Sequence, residues 1–166
     1  MIFRPTQLFY AFIFALLCAG NALAEDMQAD FVDWSFFKTT RGDMTICYLA
    51  STPIKNSGYL DRRGEPYFLV TDVVDDADEV TASSGFIYKA SSDVEVSFGS
   101  RKFYLFPYLA VAWANDVNDD LDIIKEMQKS DEMIVSGTSR DNKVTHDTYS
   151  LIGFAKAYQK LKKECK

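Results

Sequence analysis

The residues predict a mainly β chain with a short inserted helix and a C-terminal helix, and three observations carry that expectation. Short runs of β-branched and aromatic residues, punctuated by Gly, Pro, Asn and Asp, fill residues 27–114. A segment with acids first and lysines later follows at 118–129, and beyond Ser150 apolar residues recur at intervals of three and four. Two helical segments beside many strands read, on their own, as α+β.

The chain opens with MIFRPTQLFYAFIFALLCAGNALA: one positive residue at Arg4, an apolar core from Leu8 to Leu17, and Ala22-Leu23-Ala24 before Glu25-Asp26. That is the pattern of a secretory signal peptide, with cleavage expected after Ala24. The apolar run is shorter than the roughly 20 residues that span a bilayer. Leu17 precedes Cys18 where lipoprotein processing wants a small side chain, so a lipid anchor is not expected. Residues 25–166 are then expected to form one domain without a membrane span, localised to the periplasm or secreted.

Cleavage takes one of the 18 basic residues, Arg4, and none of the 24 acidic ones, moving the net charge from −6 to −7. An acidic chain lacks the basic patch that nucleic acid or anionic lipid requires. About 140 residues suffice for one core, and a 48% hydrophobic composition argues against disorder.

Strands are expected at 31–36, 45–49 and 67–74. Arg41-Gly42-Asp43 lies between the first two, where Gly42 and Asp43 are turn formers; the same tripeptide is also an adhesion signal, and a turn tip is where one would have to sit. Segments 93–98 and 102–106 flank Gly99-Ser100-Arg101 and read as a hairpin. The run 103–114 contains Pro107 and reads as a strand that enters a buried loop. In the helix at 118–129 the acid-first order suits the helix dipole, and Leu121, Ile124 and Met127 or Gln128 share a face. A second hairpin, 132–139 with 143–150, turns at Asp141-Asn142. Leu151, Phe154, Ala155, Tyr158, Leu161 and Cys165 then mark the final helix, with Ser150 as its N-cap.

Two cysteines, Cys47 and Cys165, follow the leader into a compartment where disulfides persist. The helical stripe turns Cys165 inward, which favours a bridge to a strand cysteine such as Cys47; the alternative is two separate thiols. Their wide separation does not fit a C-x-x-C redox pair.

No catalytic constellation emerges. His146, the only histidine, sits on an expected strand with Val144 and Thr148 on its face and Asp147 on the other, and no nucleophile motif accompanies it. Asp116-Val117-Asn118-Asp119-Asp120 offers oxygen ligands in calcium-loop order, but Leu121 stands where Gly is required and Met127 where a bidentate Glu is needed. An irregular calcium site there, or at 72–79 with Asp75, Asp76 and Asp78, is the alternative to a plain charged loop. No cofactor site is expected, and one histidine with two distant cysteines makes no zinc cluster.

The order of landmarks resembles the invasion associated locus B family of bacterial envelope proteins. The residues that carry it are Trp34, Cys47-Tyr48 with Pro53, Pro66-Tyr67-Phe68-Leu69-Val70-Thr71, Glu79-Val80-Thr81 and Ser84-Gly85-Phe86. Phe103 to Phe106, Ala112-Trp113-Ala114, Met133 to Arg140 and Asp147 to Phe154 continue it, so it spans nearly all of 31–165. Family members often carry Gly-Thr where this chain has Asp141-Asn142-Lys143, and some carry an extra cysteine pair near the start that is absent here.

The resemblance implies an immunoglobulin-like β-sandwich with the two helices added. It implies an exported protein with no established enzymatic activity, in a family named for an association with host-cell invasion. Export, a single compact domain and the absence of a catalytic constellation point to a non-catalytic module that binds a protein or envelope component, or supports the envelope. The alternatives are an adhesin reading host cells through Arg41-Gly42-Asp43, or a hydrolase or metal-dependent enzyme built on His146 and the acidic loops.

Overall fold

The computed structural model describes residues 27–41, 44–59, 61–72 and 78–165. The expected leader and its cleavage site lie outside them, as do Gly42, Asp43, Asp75 and Asp76. In chain order the elements are β1 (Met27–Phe31), β2 (Trp34–Arg41), β3 (Met44–Ser51), β4 (Lys55–Gly58), β5 (Tyr67–Asp72), β6 (Asp78–Ser83), β7 (Val94–Phe98), β8 (Arg101–Tyr108), β9 (Val111–Trp113), α1 (Val117–Met127), β10 (Glu132–Thr138), β11 (Val144–Ser150) and α2 (Phe154–Glu164). No helix among the described residues is long and apolar enough to cross a membrane.

The strands form one antiparallel ladder in the order β1-β2-β3-β5-β6-β9-β8-β7-β10-β11-β4. It folds over on itself inside β8, whose first half pairs with β7 (Val94↔Leu105 to Phe98↔Arg101) and whose second half pairs with β9 (Phe106↔Trp113 to Tyr108↔Val111). The result is a mainly β, sandwich-like fold with a first layer from β1 to β9 and a second from β7 to β4. Period-two alternation sends one face of each strand inward: Trp34, Phe36, Leu49, Phe68, Val70 and Val80 from the first layer meet Val94, Val96, Met133, Val135 and Tyr149 from the second. Across the gap the Phe68 and Tyr149 rings pack edge to face at 6.0 Å.

Helix α2 closes the inner face beside β2 and β3. Its Phe154, Ala157 and Leu161 are buried, and Phe154 meets Trp34 edge to face at 4.8 Å. Trp34 Nε1 donates to the Ser150 carbonyl at 3.0 Å, which satisfies the one polar atom of a fully buried ring. Cys165, at the end of α2, is joined to Cys47 of β3 by a disulfide with Cα atoms 6.2 Å apart. Lys162 reaches Asp72 at 2.8 Å and Asp78 at 3.0 Å, and the Tyr158 hydroxyl donates to Asp78. Covalent, ionic and apolar contacts thus all fix the last helix to the first layer.

A second buried charge pair fixes the 61–66 connection. Arg63 donates both terminal nitrogens to Asp147 at 2.8 and 3.0 Å and one of them also to Asn56 at 2.8 Å. The Arg63 side chain is 7% exposed and that of Asp147 fully buried. Its approach requires Gly64 to cross the chain at Gly85: Gly64 N donates to the Gly85 carbonyl at 2.8 Å, and a Cβ on Gly85, whose φ is +76°, would lie 2.1 Å from the Gly64 oxygen.

Four local expectations change. The strand expected at 31–36 is broken by a turn, because Val32 takes a positive φ of 66° and lets β1 fold back on β2 (Phe31↔Trp34). The run 103–114 is a hairpin rather than a strand entering a buried loop, reversed at Leu109 with φ 55° and leaving Tyr108 and Leu109 exposed. Ser150 belongs to β11, and α2 starts after Gly153, whose φ of 93° brings its backbone so close to Phe31 that a Cβ would overlap the Phe31 carbonyl. In α1 the inward stripe is Asp120, Ile123, Ile124 and Met127, while Leu121 is only half-buried.

Non-reducing mass spectrometry of the purified protein should find Cys47 and Cys165 in one linked peptide pair; two free thiols would contradict it. Arg63→Met should destabilise by about 3–5 kcal/mol in urea titration, since it strands a buried carboxylate, whereas Arg63→Met with Asp147→Leu should recover most of the loss.

Candidate functional site

The outward face of the first layer is unusually apolar. Cross-strand register sets Ala50, Leu69, Thr81, Trp113 and Phe106 in one row across β3, β5, β6, β9 and β8. Beside that row Phe37 and Tyr48 stack at 4.9 Å and 8° and, with Ile46, Tyr67 and Leu69, line a shallow cleft of about 470 Å³. At the other end alternation along β8 points Tyr104, Phe106 and Tyr108 outward, 50%, 44% and 66% exposed, and Phe106 stacks on Trp113 at 5.8 Å. Aromatic side chains held rigidly on strands and left in water are the usual material of a contact surface.

That aromatic end meets the start of α1 in an open cleft of about 530 Å³, walled by Phe106, Tyr108 and Trp113 and floored by Glu79, Asp116 and Asp120. Each acid has a local cause. Asp116 is the N-cap of α1 and accepts from the backbone N–H groups of Asn118 and Asp119 at 2.8 and 3.1 Å. Glu79 lies two residues before Thr81 on the same face of β6 and accepts from its hydroxyl at 3.4 Å. Asp120 accepts from Val80 N at 2.8 Å, a backbone donor that β9 is too short to reach. That bond draws Asp120 inside until the residue is only 8% exposed.

Burial raises the Asp120 carboxyl to about 6; the Val80 N–H bond lowers it, and the charges of Glu79, Asp119 and Asp116 raise it further. Among the described residues no cationic side chain pairs with Glu79, Asp116, Asp119 or Asp120.

The residues singled out in the sequence do not gather here. His146 is exposed on the outer face of the second layer, where its Nδ1 lies 2.8 Å from Ser136 Oγ on the paired strand. A serine and an imidazole in contact are two parts of a nucleophilic site, but Asp147, which could orient the ring, faces the opposite side and is held by Arg63. The pair sits on an open sheet surface. Within 116–120, Asp116 and Asp120 are engaged by backbone N–H groups, and among the described residues no three His, Cys, Asp or Glu side chains converge as metal ligands. Of the adhesion-like tripeptide, Arg41 ends β2 opposite Met44, while Gly42 and Asp43 are outside the described residues.

The aromatic cleft itself was not legible as a site, because the run that builds it reads as buried. The available signal was alternation: Tyr104, Phe106 and Tyr108 at every second position, opposite Phe103 and Leu105.

Asp120→Asn keeps an oxygen for Val80 N and removes the buried charge. The folded chain binds this proton more tightly than the unfolded chain, whose carboxyl sits near 3.8, so wild-type stability falls as pH rises between about 4 and 6. In urea titrations the variant should be more stable at pH 7.5 by about 1–2 kcal/mol, less than the roughly 3 kcal/mol between those two values because the carboxyl keeps some solvent. Near pH 3.5 the two proteins should coincide; equal stability at both pH values would contradict a charged, buried Asp120.

No protein-family model matches this chain, and no curated protein matches it. Among solved structures it is similar to the crystal structure of invasion associated protein B from Bartonella henselae, with a TM-score of 0.60 at 12% sequence identity, covering 81% of this chain and 94% of that one. At that identity the likeness is one of fold.

Proposed function

We propose that this chain is an exported, non-catalytic binding module of a bacterial envelope, related to the invasion associated locus B proteins, whose contact surface is the aromatic outer face of the first layer. One observation carries the reading: Phe106 and Tyr108, 44% and 66% exposed, and the half-buried Trp113 are fixed in place by strand pairing beside an acidic cleft. Among the described residues Phe106 stacks on Trp113 and Tyr108 packs on no other ring, so their outer faces remain for a partner to bury.

The fold likeness to a protein named for invasion supports a role in an envelope that meets a host. The leader-like start of the sequence supports export. A non-catalytic role is favoured over hydrolysis because Ser136 and His146 share a flat, open surface with no orienting acid at the ring.

A photo-crosslinking amino acid at position 108 should capture a discrete partner when the protein is returned to its native envelope. The same reagent at position 57, on the outer edge of the second layer, should not, and Trp113→Ser should abolish the adduct at 108. Equal capture from both positions, or an adduct indifferent to Trp113→Ser, would refute the assignment of this face.

A further inference from the structure

Three carboxylates are buried among the described residues: Asp78, Asp120 and Asp147. Lys162 neutralises Asp78 at 3.0 Å and Arg63 neutralises Asp147 at 2.8 Å. Asp120 has a backbone N–H and, among the described residues, no cation. It lines an open cleft in which two further carboxylates, Glu79 and Asp116, face the same space. A buried carboxylate without a cation is unfavourable, and each like charge nearby adds to the cost.

The walls can also hold a cation. Two rings elsewhere do so within this chain, the half-buried Phe103 with Arg101 at 5.3 Å and the exposed Tyr59 with Lys143 at 5.1 Å. Among the described residues Phe106, Tyr108 and Trp113 have no such partner. A cation between this aromatic wall and the carboxylate floor would be attracted by both.

We propose that this cleft receives an arginine side chain from a partner protein. The inference rests on the contact surface assigned above and names what that surface grips. An anion is opposed by the carboxylates and by a net charge of −6. A neutral apolar group would deepen the burial of Asp120 without neutralising it. Arginine fits better than lysine because its planar guanidinium stacks on a ring while its N–H fork reaches carboxylates. A protein is favoured over a free small cation because Trp113 on the cleft wall belongs to the cross-strand row Trp113, Thr81, Leu69, along which the residues flanking the arginine can lie.

The test is an NMR titration of the full protein with acetyl-Gly-Arg-Gly-amide, reading the Trp113 indole N–H, against the peptide with citrulline in place of arginine and against methylguanidinium alone. The arginine peptide should shift that resonance saturably in the millimolar range and bind about tenfold more tightly than the citrulline peptide, a difference of about 1.4 kcal/mol. Methylguanidinium should bind at the same resonance more weakly than the peptide. Glu79→Gln with Asp120→Asn should weaken the arginine peptide about tenfold while the buried Trp34 indole resonance stays unchanged, which reports an intact core.

Equal affinity for the citrulline peptide, undiminished binding by the double variant, or no saturable shift would overturn the assignment. Methylguanidinium binding as tightly as the peptide would overturn the protein source and leave a free small cation. If position 108 captures a partner whose contacting segment has no arginine, the contact surface stands and the cation assignment falls.

Discussion

Everything in this fold depends on the change of layer inside β8. A continuous antiparallel ladder can make a sandwich only if some strand gives its hydrogen bonds to one layer and then to the other, and β8 does so between Leu105 and Phe106. Beyond that point β9 is its strand partner and β7 no longer is, so the second half of β8 has an edge. That is where Pro107 sits, in keeping with the rule that a residue without an N–H belongs at a sheet edge. The same switch keeps Leu105 inside while Tyr104, Phe106 and Tyr108 pass along the outer surface from one layer to the other.

Closing the sandwich then places charges in its interior, and the chain answers in two ways. Asp147 and Asp78 receive cations from distant segments, so Arg63 ties the 61–66 connection to β11, and Lys162 ties α2 to β5 and β6. Such pairs add little net stability over apolar replacements, yet breaking one is costly, so they select an arrangement more than they strengthen it. The disulfide acts beside Lys162: Cys47 lies opposite Asp72 in the ladder, so the covalent tie and the ion pair hold the same end of α2. The Tyr149 hydroxyl, next along the inward face of β11 from Asp147, has no hydrogen-bond partner among the described residues, and burial holds its proton on well above the ordinary phenol range.

The sequence exposed the elements better than their faces. Both hairpins with polar turns, at Gly99-Ser100 and Asp141-Asn142, were legible because turn chemistry is local. The final helix was legible from its apolar spacing, as was the opposition of His146 and Asp147 across one strand. The hairpins reversed at Val32 and Leu109 were not, because branched apolar residues take a positive φ there and the lone Asp33 beside Val32 sits inside an aromatic run that reads as one strand. The Arg63 pairing was invisible for a different reason: its partner is 84 positions away, and only the crossing of Gly64 over Gly85 brings them together. The cleft was missed through its composition, since an aromatic run beside Pro107 resembles core until the register shows which alternate residues face out.

Asp120 shows how a structural remedy creates a binding site. Because β9 is only three residues long, β6 has a strand on that side at Thr81 and Ala82 but none at Val80. A main-chain N–H left there without a partner would cost about as much as a lost buried hydrogen bond. The chain turns into α1 instead, and the first inward position of the helix stripe, where an apolar residue would be expected beside Ile123, Ile124 and Met127, carries a carboxylate that accepts from Val80. The remedy satisfies the backbone at the expense of a buried charge. The shortness of β9 that demanded the carboxylate also lets α1 begin beside Trp113, so the charge opens onto aromatic walls rather than onto protein. Lengthening β9 by one pair would supply the missing strand partner, remove the need for Asp120 and close the cleft. The hydrogen bond, the charge and the opening therefore share one cause.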